Sequence, residues 1–356
     1  MRYRFLIYIS HTYALPIGEP LQNEIRKRGF EVKWFSELDE PKKFFPEAGD
    51  LLLDIRKVIS YEPHIVLTIT DVVADFIPGL KVQIFHGFLA NKHSFKKGHF
   101  RIRGFFDLYC TQGPSTTSIF KEIQKTKPHF QVQETGWSKV DPLFQIPEQP
   151  RRKPTILVSS TFSPKYSWTY HETVINELER ISKTGKYKFL VVLHPKMAAD
   201  KIAKIKSIQH TDFEYIETPD IIPLFRQADI MFSDTTSAIT EFMLQKKPVV
   251  TFRNNKPSSH LIDITDASGI KSAIEHAFNP SEILAKAIED YVNFTHPYFD
   301  GESSGRVIDA CINFLHEDKK KFKLKPLNLV RRFKIRRQLN YFSLRSYREM
   351  PYTPKD

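Results

Sequence analysis

Three places in this 356-residue sequence set reactive side chains directly after an apolar, strand-like run. Phe85-His86-Gly87-Phe88 closes the run 81–85. A histidine there can act as a general base near neutral pH, and a glycine lets backbone approach a substrate closely. His194-Pro195-Lys196 closes the run 189–193. The proline restricts His194 to an extended backbone, and Lys196 would open the next helix. Ser233-Asp234-Thr235-Thr236-Ser237 closes the run 228–232 and precedes a helix expected over 238–245. Hydroxyls with unpaired N–H groups at a helix start make an anion site. A plain N-cap needs one such residue, and here there are five in a row. Glu241, one turn beyond Ser237, could accept hydrogen bonds from ribose hydroxyls. Ser160 and Thr161, at the end of another strand-like run, join this phosphate-binding set. A fourth stretch, Asp300-Gly301-Glu302-Ser303-Ser304-Gly305-Arg306, reads as a turn into a helix, with Arg306 able to reach a phosphate or to sit on the surface. Lys92, His93, Lys96, Lys97 and His99 form a basic loop that could face an anion or only water.

A strand-end histidine is more often structural than catalytic, but two in separate parts of one chain are harder to dismiss. What must position them is a regular alternation. Strand-like runs at 3–9, 30–35, 64–70, 81–85, 106–111 and 130–135 interleave with helical stretches at 21–28, 50–60 and 114–125. Residues 147–154, PEQPRRKP, are proline-rich, charged and aperiodic, and read as a linker. The pattern then restarts, with strands expected at 155–160, 187–193, 213–216, 229–232 and 248–252. Helices are expected at 168–183, 196–208, 236–246, 270–278 and 282–291. Alternation of this kind means βα units and a parallel doubly wound sheet. Two such α/β domains in succession, 1–146 and 155–317, are the GT-B plan: two Rossmann-like domains facing a cleft, with ligands at the C-terminal strand edges.

The bulk numbers narrow the partners. A hydrophobic fraction of 41% can fill real cores, and the net charge of +12 favours anionic partners without choosing among them. Much of the charge lies in 318–356, where cations interleave with Leu329, Val330, Phe333, Ile335 and Phe342. That amphipathic basic tail suggests a membrane-surface or polyanion contact, against a helix packed on the body with a solvated basic face. Because the excess sits in one tail and no nucleic-acid motif appears, nucleic acid is not an expected partner. Cys110 and Cys311, far apart in sequence, read as buried small hydrophobes rather than a disulfide framework. The N-terminal MRYRFLIYIS reads as a buried first strand and not a signal peptide, since His11-Thr12-Tyr13 follows where a cleavage site would stand. No run approaches the ~20 apolar residues that span a bilayer, so a protein either soluble or peripheral at the inner face of the membrane, and cytoplasmic by default, is expected. There is no GxGxxG, no Walker A motif and no DxD triad, and 263–266 has the wrong spacing for one. No obligatory metal or cofactor is therefore expected.

Taken in order, these pieces resemble the CDP-glycerol glycerophosphotransferases, which build teichoic acids and capsule polymers. The resemblance rests on His86-Gly87 with Lys92, on Phe106-Asp107-Leu108-Tyr109-Cys110-Thr111, and on Gly136 with Asp141 five residues on. His194-Pro195, Ser233 to Ser237 with Glu241, and Asp300-Gly301 with Ser304 and Arg306 complete it. It spans about 81–310. Thr236 replaces a serine, and Phe88 stands where a small or hydroxylated residue is common. The resemblance implies an N-terminal acceptor domain and a C-terminal donor domain. A CDP-alcohol would bind mainly to the latter, through Pro195, Lys196, the 233–237 turn and His194, with Gly87 of the first domain added, and with Lys92 and Arg306 toward an anionic glycan or lipid-linked acceptor. His86 would deprotonate the acceptor hydroxyl, with CMP released. A GT-B glycosyltransferase using a CMP- or UDP-sugar, or a UDP-sugar 2-epimerase, is the alternative on the same fold.

Overall fold

A computed structural model describes residues 2–45, 49–88, 100–145, 153–218 and 220–353. Lys92 and the rest of the basic loop at 92–99 lie outside them, as do residues 146–152 of the expected linker region.

Two compact units emerge. The first holds the described residues up to Gly87, then 100–142, and takes the chain again from Thr295. Its sheet has six parallel strands: β1 (Arg4–Ile9), β2 (Glu31–Ser36), β3 (Ile65–Thr68), β4 (Leu80–Ile84), β5 (Leu108–Thr111) and β6 (Gln131–Glu134), in the order β2-β1-β3-β4-β5-β6. The strands β1, β3, β4 and β5 are buried almost throughout, as parallel strands covered by helices on both faces must be. The second unit, Leu143–Phe294, carries β7 (Thr155–Ser160), β8 (Lys188–Leu193), β9 (Phe213–Tyr215), β10 (Ile230–Ser233), β11 (Val249–Phe252) and β12 (Ile262–Ile264). Their order is β12-β11-β10-β7-β8-β9, again all parallel. One core joins the sheet to its helices through Trp168, Val174, Leu178, Ile205, Ile270 and Ile274.

The sequence places residues up to 317 in the second domain; the structure returns the chain to the first unit at Thr295. The helix Ser303–Leu315 buries Val307, Ile308, Cys311, Phe314 and Leu315 there. Cys311 meets Cys110, and burial with that neighbouring thiol pushes its pKa far up.

The C-terminal segment also belongs to the first unit. The Lys325 ammonium and the Asp107 carboxylate, both essentially inaccessible, pair at 2.7 Å. Arg336 grips Asp75 through two hydrogen bonds of 2.6 and 3.1 Å, and Arg332 lies 3.5 Å from the same carboxylate. The Asn328 amide donates to Arg103 O, and Tyr347 N to Asp75 O. Buried charges survive only when paired, and this pairing fixes the segment on the first unit, as the packed-helix alternative expected. Among the described residues no helix is long and apolar enough to cross a membrane.

Candidate functional site

In an open parallel sheet, ligands bind beyond the carboxyl ends of the strands, where strand order reverses. In the second unit that point falls between β7 and β10, so Ser160-Thr161 and Ser233-Asp234 end there by topology. The residues expected to bind a donor divide there into two groups.

One group builds the floor. Asp234, fully buried, accepts from Ser160 Oγ (2.5 Å), Thr161 N (2.9 Å), Trp168 N (3.2 Å) and Thr235 N (2.6 Å). Burial raises its pKa, and these donors oppose the shift. Ser233 Oγ bridges to Ser159, and Thr235 Oγ1 accepts from Asn255 N. Ser160, Thr161, Ser233, Asp234 and Thr235 are thus held within the protein, and their task is to shape the loops.

The other group is open. Thr236 and Ser237 are half-buried, His194 is half-buried, and Pro195 and Lys196 are exposed. His194 Nδ1 accepts from Lys196 N at 3.0 Å, so the neutral ring carries its proton on Nε2, as a donor. Phe162 packs on the same ring, 4.5 Å between centroids. The end of β8 stands two strands from β10, roughly 10 Å at normal strand spacing. The helix after the turn is shorter than expected: Ala238–Met243, six residues, with no side-chain cap at Ser237. Its dipole is correspondingly small, so hydroxyls and loop N–H groups carry whatever anion affinity the turn has. Glu241 is 5% exposed.

The sequence reading missed the wall beside this turn. Asn254 Nδ2 donates to Asp234 O (2.6 Å) and Asn254 N to Asp263 Oδ1 (2.9 Å). Lys256 follows, exposed. The "RNNK" after a strand was its available signal.

In the first unit the order reverses between β1 and β3. His86 follows β4 and is exposed; its ring lies 5.8 Å from that of Tyr13, which lies 5.4 Å from His11. Thr12 donates to Glu40 (2.9 Å), Tyr8 to Glu37 (2.8 Å), and Ser10 also to Glu37. Burial first, then Asp71 and Glu37, raise the Tyr13 pKa. His11, Tyr13, Glu37, Glu40 and Asp71 were not singled out from sequence. Their signal was the polar His-Thr-Tyr ending an apolar strand, the same pattern that marked His86. Aromatic faces with carboxylates and hydroxyls suit a polyhydroxylated ligand better than an anion.

Among the described residues, no atom lies within 4 Å of where a Cβ on Gly87 would stand, and its φ is not positive. Gly87→Ala should therefore leave the melting temperature unchanged. A loss of turnover in that variant would report the close approach of substrate; unchanged turnover would remove Gly87 from the site.

Two other motifs meet each other. Asp141 Oδ1 accepts from Ser303 N (2.9 Å), and Oδ2 from Ser304 N (2.8 Å) and Ser304 Oγ (2.7 Å). Asp141 thereby caps the helix Ser303–Leu315 from 162 positions away, a role its own N-cap Glu302 does not fill. Trp137 N donates to His296 Nε2 (3.0 Å). Gly136 has φ +79°, and a Cβ there would meet Ser303 Oγ at 2.5 Å. Arg306 is gripped by Asp300 (2.8 and 3.1 Å), donates to Thr135 O (2.9 Å) and stacks under Tyr298 at 4.1 Å. The clasp accounts for these residues as architecture, with Arg306 half-buried at its rim.

No protein-family model matches the chain, and no curated protein matches it in sequence. Solved structures match in fold. A putative UDP-N-acetylglucosamine 2-epimerase from Listeria monocytogenes shares 14% identity, covering 92% of this chain and 100% of its own, with a TM-score of 0.64. The wall teichoic acid polymerase TagF shares 13%, covering 87% and 88%, with a TM-score of 0.61. MnaA of S. aureus, solved with UDP, shares 15%, covering 88% and 97%, with a TM-score of 0.62. At such identities the likeness establishes the fold: two α/β units of the GT-B type.

Proposed function

We propose that this chain is a transferase that moves a polyol phosphate, of the glycerol phosphate type, from a CDP-alcohol to a hydroxyl of a cell-surface glycan or lipid-linked acceptor. The observation that carries the reading is the strand-end set of the second unit: the half-buried His194, exposed Lys196 beside it, and the half-buried hydroxyls of Thr236 and Ser237 on the same sheet edge. The order of motifs from His86 to Arg306 adds the choice of chemistry, and a TagF structure described with CDPG shares the fold.

In the proposed reaction the acceptor oxygen attacks the phosphorus distal to cytidine. His86 takes the hydroxyl proton. The bond from that phosphorus to the bridging oxygen breaks, and CMP leaves with the electron pair. His194, Lys196, Thr236 and Ser237 would neutralise charge on the phosphoryl oxygens, catalysis by positioning and electrostatics. Asn254 and Lys256 would flank the donor. No metal is assigned a part.

The epimerases with the same fold keep a second reading in play, a sugar-nucleotide enzyme using UDP or CMP. A ligand bound only to the folded state raises the melting point. A thermal-shift series against CDP-glycerol, CDP-ribitol, CMP-sugars and UDP-sugars should show selective stabilisation by a CDP-alcohol. Turnover should then release CMP, and His86→Ala should slow it by about a hundredfold or more. Preference for UDP-N-acetylglucosamine, with an epimerised product, would sink the phosphotransferase reading and keep the second.

A further inference from the structure

The helix Leu329–Gln338 is amphipathic in the inverted sense. Two of its arginines and Ile335 face the protein: Arg332 is 7% and Ile335 6% exposed, and Arg336 binds Asp75. Its other large apolar residues face water: Leu329 is 66%, Val330 71% and Phe333 58% exposed. At 3.6 residues per turn, Leu329, Val330, Phe333, Lys334 and Arg337 share one arc of about 140°. The chain then turns back. Phe342, itself 65% exposed, brings its ring to 6.2 Å from Phe333, and Leu344 is fully exposed.

Single exposed apolar residues are ordinary, but a contiguous patch of them is not. This one is interleaved with exposed Lys334, Arg337 and Arg345. The sequence from 318 to 353 holds twelve lysines and arginines against two acids, a net +10 of the chain's +12. Arg332, Arg336 and Lys325 are bound internally, so they anchor the segment rather than add to its outward charge.

We propose that this face seats the protein on an anionic lipid surface, with Val330, Phe333 and Phe342 entering the headgroup boundary and Lys334 and Arg337 at the phosphates. An apolar face rimmed by cations is what interfacial binding needs. A nucleic acid would satisfy the cations and leave Leu329, Val330 and Leu344 in water. A second copy would bring like charges together. The inference stands whichever donor the enzyme uses.

The test is co-sedimentation of the full chain with vesicles of phosphatidylcholine alone or of phosphatidylcholine with phosphatidylglycerol. The protein should pellet with the anionic vesicles only, and less so as salt is raised. Val330→Ser/Phe333→Ser/Phe342→Ser, with an unchanged melting temperature, should reduce partitioning by about tenfold or more. Should that variant fold poorly, Lys334→Glu/Arg337→Glu leaves the apolar residues in place and should lose binding as well. Wild type that ignores anionic vesicles, or variants that bind as it does, overturns the proposal. So does a dimer that the triple substitution dissociates, which would assign the face to a second copy.

Discussion

Asp141→Ala is expected to lower the unfolding free energy by about 4 kcal/mol, because it strands two backbone N–H groups and one hydroxyl, each worth about 1–3 kcal/mol when left unpaired in the interior. Ser303 and Ser304 are buried, so water cannot replace the lost carboxylate cheaply. Asp141→Asn keeps the shape but turns an NH2 toward at least one donor, and should fall between alanine and wild type. Urea unfolding monitored by far-UV circular dichroism gives the shift in midpoint. The proposed donor site lies in the second unit, so nucleotide-induced stabilisation of that unit should persist in whatever fraction of the variant remains folded. A midpoint within experimental error of wild type would show that the clasp between residues 136–141 and 295–306 does not hold the first unit together.

Lys325→Ala is the second large effect. It leaves the Asp107 carboxylate, wholly inaccessible, with the Lys81 N–H as its remaining partner. Breaking a buried pair from one side costs about 3–5 kcal/mol, whereas replacing both partners by apolar residues is often neutral. Lys325→Met with Asp107→Asn, which keeps an acceptor for the Lys81 N–H, should therefore recover part of the loss, and the double-mutant cycle separates the pair from its desolvation. Limited proteolysis should cut the single variant near Phe322–Tyr352 first. Lys81, 1% exposed, donates to Gly79 O at 3.1 Å and faces the Tyr347 ring. Burial, with Lys325 nearby, lowers its pKa to about 7. The unfolded chain then binds more protons than the folded one above that value, so stability should rise from pH 7 toward about 10, by at most about 1.4 kcal/mol per pH unit. Lys81→Met should flatten that slope. A wild-type slope that is already flat there would show that Lys81 does not titrate near neutrality.

The strands were legible almost residue by residue, since an apolar run bounded by turn residues leaves little choice: Thr155–Ser160 and Val249–Phe252 fall within a residue of expectation. Helix starts were less so. The first helix begins at Leu15, ahead of the expected 21, because Pro16 is tolerated in a first turn and Gly18 is required where the Trp34 ring packs, 2.2 Å from where a Cβ would stand. The helix expected at 50–60 starts only at Ile55, since Leu51 pairs with Trp34 and Asp54 takes the cap. β12 went unseen, a three-residue edge strand with no buried run. In the site, residue types at strand ends could be read, but not which of them face inward. Asp234 and Thr236 look equivalent in sequence; only the third dimension separates a loop-shaping carboxylate from an open hydroxyl. The clasp was invisible because its halves lie more than 150 residues apart, and nothing local requires Asp141 to meet Ser304.

The return of the chain to the first unit at Thr295 has a consequence for synthesis. Until the 152 residues of Leu143–Phe294 have been made, the first sheet lacks the helix Ser303–Leu315 and the ion pair that closes it. At about 5–20 residues per second, that interval lasts roughly 8–30 s on the ribosome. The second unit, whose six strands all lie in that stretch, can fold within it, so the half begun first is the half finished last. During the wait β4 and β5 lack the helix that packs on them, and Asp107 lacks the Lys325 ammonium. A nascent chain of this protein should bind holdase chaperones through its N-terminal third, and lose them only once the C-terminal segment emerges.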